Sequence, residues 1–112
     1  RSIDTFPSAQ QGQIRSQLSA SLIGIISQRL LPRASGGLIP AVEIMIANPA
    51  IRNLIRENKT HEIDVVIETS SEEGMVSLNR ALVDLVRRGE VTVETALTYS
   101  LSPQEFSLLM RR

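Results

Sequence analysis

The chain of 112 residues contains no cysteine, no tryptophan, one histidine and one lysine. Without cysteine there is neither a disulfide framework nor a thiolate metal site, which fits a reducing compartment such as the cytoplasm. Aromatics are confined to Phe6, Tyr99 and Phe106, too few for the stacking surfaces that hold single-stranded nucleic acid. Basic and acidic side chains number 12 each, so the chain as a whole is not an electrostatic binder of nucleic acid or of an anionic membrane, and no nucleic-acid partner is expected. No apolar run approaches the ~20 residues that a membrane-spanning helix needs. No charged-then-apolar signal segment opens the sequence.

What the chain does have is aliphatic. Ile, Leu and Val fill 33 positions, enough for one modest core in a domain of this size and too many for intrinsic disorder. All basic residues except Lys59 are Arg. Arg favours bidentate pairing with carboxylates and phosphates, although ordinary surface charge accounts for the bias equally well.

Arg1 is an abrupt start with no Met before it, and Ile3 and Phe6 stand at helical spacing. Residues 1–7 therefore read as the tail of a helix that begins upstream. Ser8 and Gln11 come next at capping-box spacing, and Ile14, Leu18 and Leu22 recur at intervals of four as one helical stripe. Gly24 interrupts that stripe. Across residues 22–31 both faces are apolar, with Ile25, Ile26, Leu30 and Leu31, and periodicity leaves a continued helix and a buried strand both open. The turn composition of Pro32-Arg33-Ala34-Ser35-Gly36-Gly37 and the Ile- and Val-rich stretch after it, where Glu43 is the only charge, favour a β-hairpin over about residues 24–47. Pro40 then implies an edge position or an interruption.

Asn48-Pro49 predicts an N-cap followed by proline at the first helical position. Ile51, Leu54 and Ile55 form a buried stripe, and Arg52, Asn53, Arg56 and Glu57 the opposite face, with Asn58 as the stop. Residues 60–69 place Ile63, Val66 and Ile67 on one helical face, yet with Val65 they are β-branched enough to leave a strand open. Residues 72–88 give the clearest helix, with Met75, Leu78, Leu82, Leu85 and Val86 inward, Arg87 and Arg88 at its negative end and Gly89 as the cap. Residues 92–100 predict a short helix with Val93, Ala96 and Leu97 inward. Ser102-Pro103-Gln104-Glu105 combines an N-cap, a first-position Pro and a third-position Glu, and Phe106, Leu109 and Met110 make the next buried face. The class is α+β: a helix, a hairpin, then four or five short helices.

No assembled active site accompanies this layout. Gly36-Gly37 is not followed by Lys and Ser or Thr at phosphate-loop spacing, so it reads as a turn. His61 stands beside Glu62 and Asp64, but no second His or Cys is available to complete a zinc site. Ser70-Ser71-Glu72-Glu73 lacks a positioned base and reads as an acidic helix start. Catalytic, cofactor-binding and metal-ligating residues are therefore expected to be none. Arg52 and Arg56, four apart, form a short basic ridge. By pattern alone a solvated face is the favoured reading, and a docking surface for an acidic partner the other.

The run Ala50, Ile51, Arg52, Asn53, Leu54, Ile55, Arg56, Glu57 resembles the signature motif of the twitching-motility retraction ATPases, the hexameric motors of type IV pili. Flanking stretches agree: residues 1–7 resemble the segment after the family's His box, and Ile14-Arg15-Ser16-Gln17-Leu18 and Ser27-Gln28-Arg29-Leu30-Leu31 resemble the region immediately downstream of that segment. Glu43-Ile44-Met45 resembles the next strand. Gly74-Met75, Asp84-Leu85-Val86-Arg87-Arg88-Gly89 and Pro103-Gln104-Glu105-Phe106 resemble the terminal helices. Asn58 departs from the Gly or Asp that the family often has before the Lys, but Asn tolerates the same left-handed stop.

The resemblance implies the C-terminal portion of a RecA-like P-loop ATPase domain, about the last third of a subunit. Residues 1–47 would complete the motor-domain sheet and residues 48–112 would form a helical cap. The parent would be a homo-hexamer using ATP and magnesium, at the cytoplasmic face of the inner membrane, with an inner-membrane pilus platform protein as partner. The phosphate loop, acidic box, magnesium-site acid and His box lie upstream in the family, so no cofactor is expected in this stretch. The motif run is implied to matter for retraction rather than nucleotide binding, which favours the docking reading of Arg52 and Arg56. A cut sheet also predicts self-association of the isolated chain. The alternatives are a section of a pilus-assembly or type II secretion ATPase, and a free-standing helical interaction module.

Overall fold

A computed structural model describes residues 7–21 and 24–112. The expectations for Ile3, Phe6, Leu22 and the side chain of Leu18 lie outside the described residues. Helix α1 (Ser8–Ser21) leads into an antiparallel hairpin of β1 (Gly24–Pro32) and β2 (Leu38–Ile46), in register from Gly24 opposite Ile46 to Pro32 opposite Leu38. Then come α2 (Pro49–Arg56), a 3-10 turn (Thr60–Glu62) running into α3 (Ile63–Glu68), a second 3-10 turn (Ser71–Glu73), α4 (Leu78–Arg87), α5 (Val93–Tyr99) and α6 (Pro103–Met110). The α+β class and the hairpin bounds agree with the sequence reading, and residues 60–69 prove helical.

Gly24 has a reason in the sheet. A Cβ there would lie 2.8 Å from the Met45 carbonyl oxygen, closer than any side chain tolerates. Pro40 is explained by direction. Ile44 exchanges both backbone hydrogen bonds with Val76, at 2.8 and 2.9 Å, so its N–H points away from β1. Backbone direction repeats every second residue, and position 40 therefore faces the same outer edge, where a missing N–H removes no bond to β1.

One face of β2 carries the core. Ile39 and Ala41 lie with Leu31 beneath Leu78, Leu82, Val83 and Leu85 of α4, and Val91, Ala96, Phe106 and Leu109 close this first cluster. Met45 lies in a second, with Ile51, Ile55, Ile67 and Met75. Glu43 stands between them on the same face. It accepts from the Ser27 hydroxyl across the strands and from the Leu78 backbone N–H, each at 3.3 Å, which puts a carboxylate at the positive end of α4. The opposite strand is not buried: within β1 only Leu31 is, and Ile25, Ile26 and Leu30 are exposed.

Several local expectations are corrected. The helix predicted over residues 72–88 starts only at Leu78. Gly74 takes a left-handed backbone (φ 90°) that ends the preceding turn, Val76 pairs with Ile44, and Ser77 caps α4 by accepting from Arg80 N at 3.1 Å. Met75 is buried all the same, in the second cluster rather than on α4. Val93, the first residue of α5, faces solvent. Ser102 makes no side-chain cap; its carbonyl receives Phe106 N at 3.0 Å and Asn79 Nδ2 at 3.1 Å. Ser8 is already helical, and the Pro7 carbonyl takes Gln10 and Gln11 N–H instead. Gly89 closes α4 as expected, with Gly89 N to Val86 O and Glu90 N to Leu85 O at 2.9 Å.

Phe106 is 1% exposed within the first cluster. Phe106→Ala is expected to cost about 3–5 kcal/mol, much of a small domain's stability, read as a fall in the urea midpoint. Val93→Ala should stay within about 0.5 kcal/mol of the parent.

Candidate functional site

Helix α2, which carries the motif run, is defined at both ends by side-chain chemistry. Asn48 adopts extended backbone and its Oδ1 accepts from Ile51 N at 2.9 Å, with Pro49 at the first helical position. The Asn48 amide also donates to the Glu73 carboxylate at 3.4 Å, tying the helix start to the second 3-10 turn. At the other end Asn58 has φ 58°. Lys59 N reaches Leu54 O at 2.8 Å and Asn58 N reaches Ile55 O at 3.2 Å, the paired bonds of a Schellman stop. Ile51 and Ile55 point into the second cluster and Leu54 is half-buried.

The polar face does not present a common basic ridge. Arg52 is half-buried and turned toward α1: its Nη1 donates to the Ser19 carbonyl at 2.6 Å, and the Ser19 hydroxyl donates to the Arg52 carbonyl at 2.9 Å. Ser19 itself is fully buried. A hydrogen bond from a charged donor contributes about 1.5–3 kcal/mol and a neutral one about 1, so this reciprocal bracket is a substantial link between helices. Arg56 is exposed, and its guanidinium bonds the Asn53 side chain one turn back. Glu57 and Lys59 pair loosely at 3.9 Å in solvent. The bracket joins residues far apart in sequence, and no local spacing signals it.

The other candidates do not assemble. His61 is exposed and lies 3.8 Å from the Glu62 carboxylate, and no group of potential metal ligands occurs among the described residues. The Gly36–Gly37 turn is open, with space around both Cα atoms among the described residues. A cleft of about 320 Å³ between α3, α4 and the loop before α6 is lined by Glu43, Asp64, Glu68 and Glu105 and by no basic residue, the reverse of what a triphosphate requires. A hollow of about 270 Å³ beside α4 and α6 does contain arginines. Arg87 there donates to the Leu109 and Arg112 carbonyls, at 3.2 and 2.9 Å, and Arg80 pairs with Glu68 at 3.8 Å.

No family model matches the chain. It is 45% identical over 97 residues to the twitching motility protein of Neisseria gonorrhoeae, covering 86% of this chain and 26% of that protein. It is 42% identical over 106 residues to the type IV pilus retraction ATPase PilT of Pseudomonas aeruginosa, covering 95% of this chain and 31% of the relative. The crystal structure of the pilus retraction motor PilT with bound ADP superposes with a TM-score of 0.72 at 46% identity, over 92% of this chain and 28% of that one. The chain thus spans about a quarter to a third of these relatives, and the similarity to retraction ATPases runs nearly end to end. Its hairpin and helices are those of the C-terminal portion of a RecA-like ATPase.

Both caps of α2 are testable. Asn48→Ala is expected to lower stability by about 1 kcal/mol, measured by urea titration. Asn58→Gly should be neutral or slightly stabilising and Asn58→Val clearly destabilising, because a β-branched residue resists the left-handed backbone.

Proposed function

We propose that this chain is the C-terminal part of the motor domain of an ATP-driven, ring-forming protein that powers pilus retraction and twitching motility from the cytoplasmic face of the inner membrane. The observation that carries the proposal is the near end-to-end similarity to retraction ATPases. The parent would be a homo-hexamer burning ATP with magnesium, at residues outside this stretch. That assignment agrees with the acidic lining of the cleft.

In this reading residues 1–47 supply the helix and hairpin that complete the motor sheet, and residues 48–112 the helical cap. The second face of the hairpin supports it. Opposite the core face lie Gly24, Ile26, Gln28, Leu30 and Pro32 of β1 and Leu38, Pro40, Val42, Ile44 and Ile46 of β2, so Gln28 is the only polar side chain on it. Ile26 is 74% exposed and Leu38 58%. A second, almost wholly apolar face on a sheet whose first face already floors a core belongs in an interior. Because Ile44 turns its N–H from β1, its partner Ile26 also turns away, as do Gln28 and Leu30 two and four residues on. Their backbone groups have no strand partner among the described residues, which leaves an edge ready to pair. Residues 50–57 would act in retraction rather than in nucleotide binding, with Arg56 on the outward face toward a docking partner such as the membrane platform of the pilus.

The isolated chain is expected to show no ATP turnover and to self-associate in sedimentation velocity. Ile26→Glu should shift it toward monomer. A strict monomer at high concentration would count against the sheet reading, and robust turnover by the chain alone against the whole proposal. In the full-length parent, Arg56→Ala should leave ATP hydrolysis within about twofold and abolish retraction; unimpaired retraction would remove the motif's assigned role.

A further inference from the structure

Helices α1 and α2 flank the open end of the hairpin. Helix α1 ends shortly before Gly24, α2 begins shortly after Ile46, and Gly24 and Ile46 are the last register pair. The segment from α1 through β1 and β2 to α2 is thus a loop of structure with its mouth at that pair. The Arg52–Ser19 bracket, spanning 33 residues, closes the mouth.

The sequence of α1 is rich in glutamine, at positions 10, 11, 13 and 17. Among its described side chains Ile14 is half-buried and Ser19 alone is fully buried. A helix of 14 residues is marginal without tertiary support. Apolar packing tolerates sliding, whereas hydrogen bonds with defined donors and acceptors set register and orientation. Arg52 supplies its side chain to the Ser19 backbone and Ser19 supplies its side chain to the Arg52 backbone, so each residue fixes the other's helix.

We propose that Arg52 is a positioning residue: through Ser19 it locks α1 to the motif helix, making α1, the hairpin and α2 one unit, and it does not reach a docking partner. This rests on the reading of residues 50–57 as the retraction motif, and it divides that motif by role. Arg56 keeps the outward position, and Arg52 holds the frame on which it stands.

The test uses the full-length parent carrying Ser19→Ala, Arg52→Ala, Arg52→Lys and the Ser19→Ala/Arg52→Ala pair. Hydrogen exchange is monitored at amides of α1 and, as the reference for global opening, of α6; retraction is scored in cells lacking the native motor. Ser19→Ala and Arg52→Ala should each speed α1 exchange about tenfold with α6 unchanged. Arg52→Lys, which keeps a donor of similar reach, should recover most of the protection. The pair should be faster than either single variant, because each substitution removes one bond and leaves the backbone acceptor of the other in place. Ser19→Ala should impair retraction although its side chain is fully buried and Arg52 keeps its charge. The proposal is overturned if Ser19→Ala behaves as the parent in exchange and retraction while Arg52→Ala loses retraction. It is equally overturned if the pair leaves α1 exchange as in the parent, or if α6 opens along with α1. If the exchange pattern holds while the unmodified parent supports no retraction, the functional reading fails and the bracket stands.

Discussion

The alternation of β2 is the constraint on which the rest depends. Its odd-numbered positions face the helices, so one strand floors both apolar clusters, with Ile39 and Ala41 under the first and Met45 under the second. Shifting the register by one residue would turn this set outward. Glu43 falls where the clusters part, and it is satisfied there by Ser27 from the neighbouring strand and by the first N–H of α4. An apolar residue at that position would merge the clusters but leave the α4 terminus without its carboxylate. The same alternation sends Leu38, Val42, Ile44 and Ile46 to the other face, which is why a chain with a respectable core still shows so much aliphatic surface.

The helices are short because their ends are chemically specified, not because their apolar stripes run out. Helix α2 ends at a left-handed Asn58 and α4 at Gly89, and each stop makes the same pair of backbone bonds. At their starts, Asn48, Ser77 and Thr92 each accept from the N–H three residues on. Such caps contribute about 1 kcal/mol apiece, a large fraction of what holds an eight-residue helix together.

Features written within four residues were legible in the sequence. The Asn48-Pro49 start, the Asn58 and Gly89 stops, the glycine turn and the buried faces of α2 and α6 all depend on local spacing. Where tertiary structure intervened, local spacing misled. Met75 matched the three-and-four rhythm of α4, but Val76 is drawn to Ile44 and the helix cannot begin until Ser77 caps it. Ile25, Ile26 and Leu30 looked like an interior strand, and their solvent exposure results from what surrounds the hairpin, about which a local pattern is silent. Arg52 and Arg56 share spacing and chemistry, and the long-range contact with Ser19 gives them different surroundings. The motif run made the family legible where composition and periodicity reached no further than an α+β piece without an active site.

Two turns of helix do not hold their shape alone in water. Helix α2 persists because Ile51 and Ile55 are seated against Met45 of β2 and because α1 is bracketed to its side. An element so dependent on its supports has no orientation of its own; it takes the orientation of the hairpin and of α1. On the proposed function this is the property a transmitting helix needs. Nucleotide chemistry elsewhere in the subunit would shift the sheet, and a shift in the sheet moves the two supports together, carrying the exposed Arg56 with them. A longer, self-sufficient helix would absorb part of that displacement at its own ends. The marginal length of α2 and the rigidity of its seat are therefore two sides of one requirement, that the surface offered to a partner report faithfully on the sheet behind it.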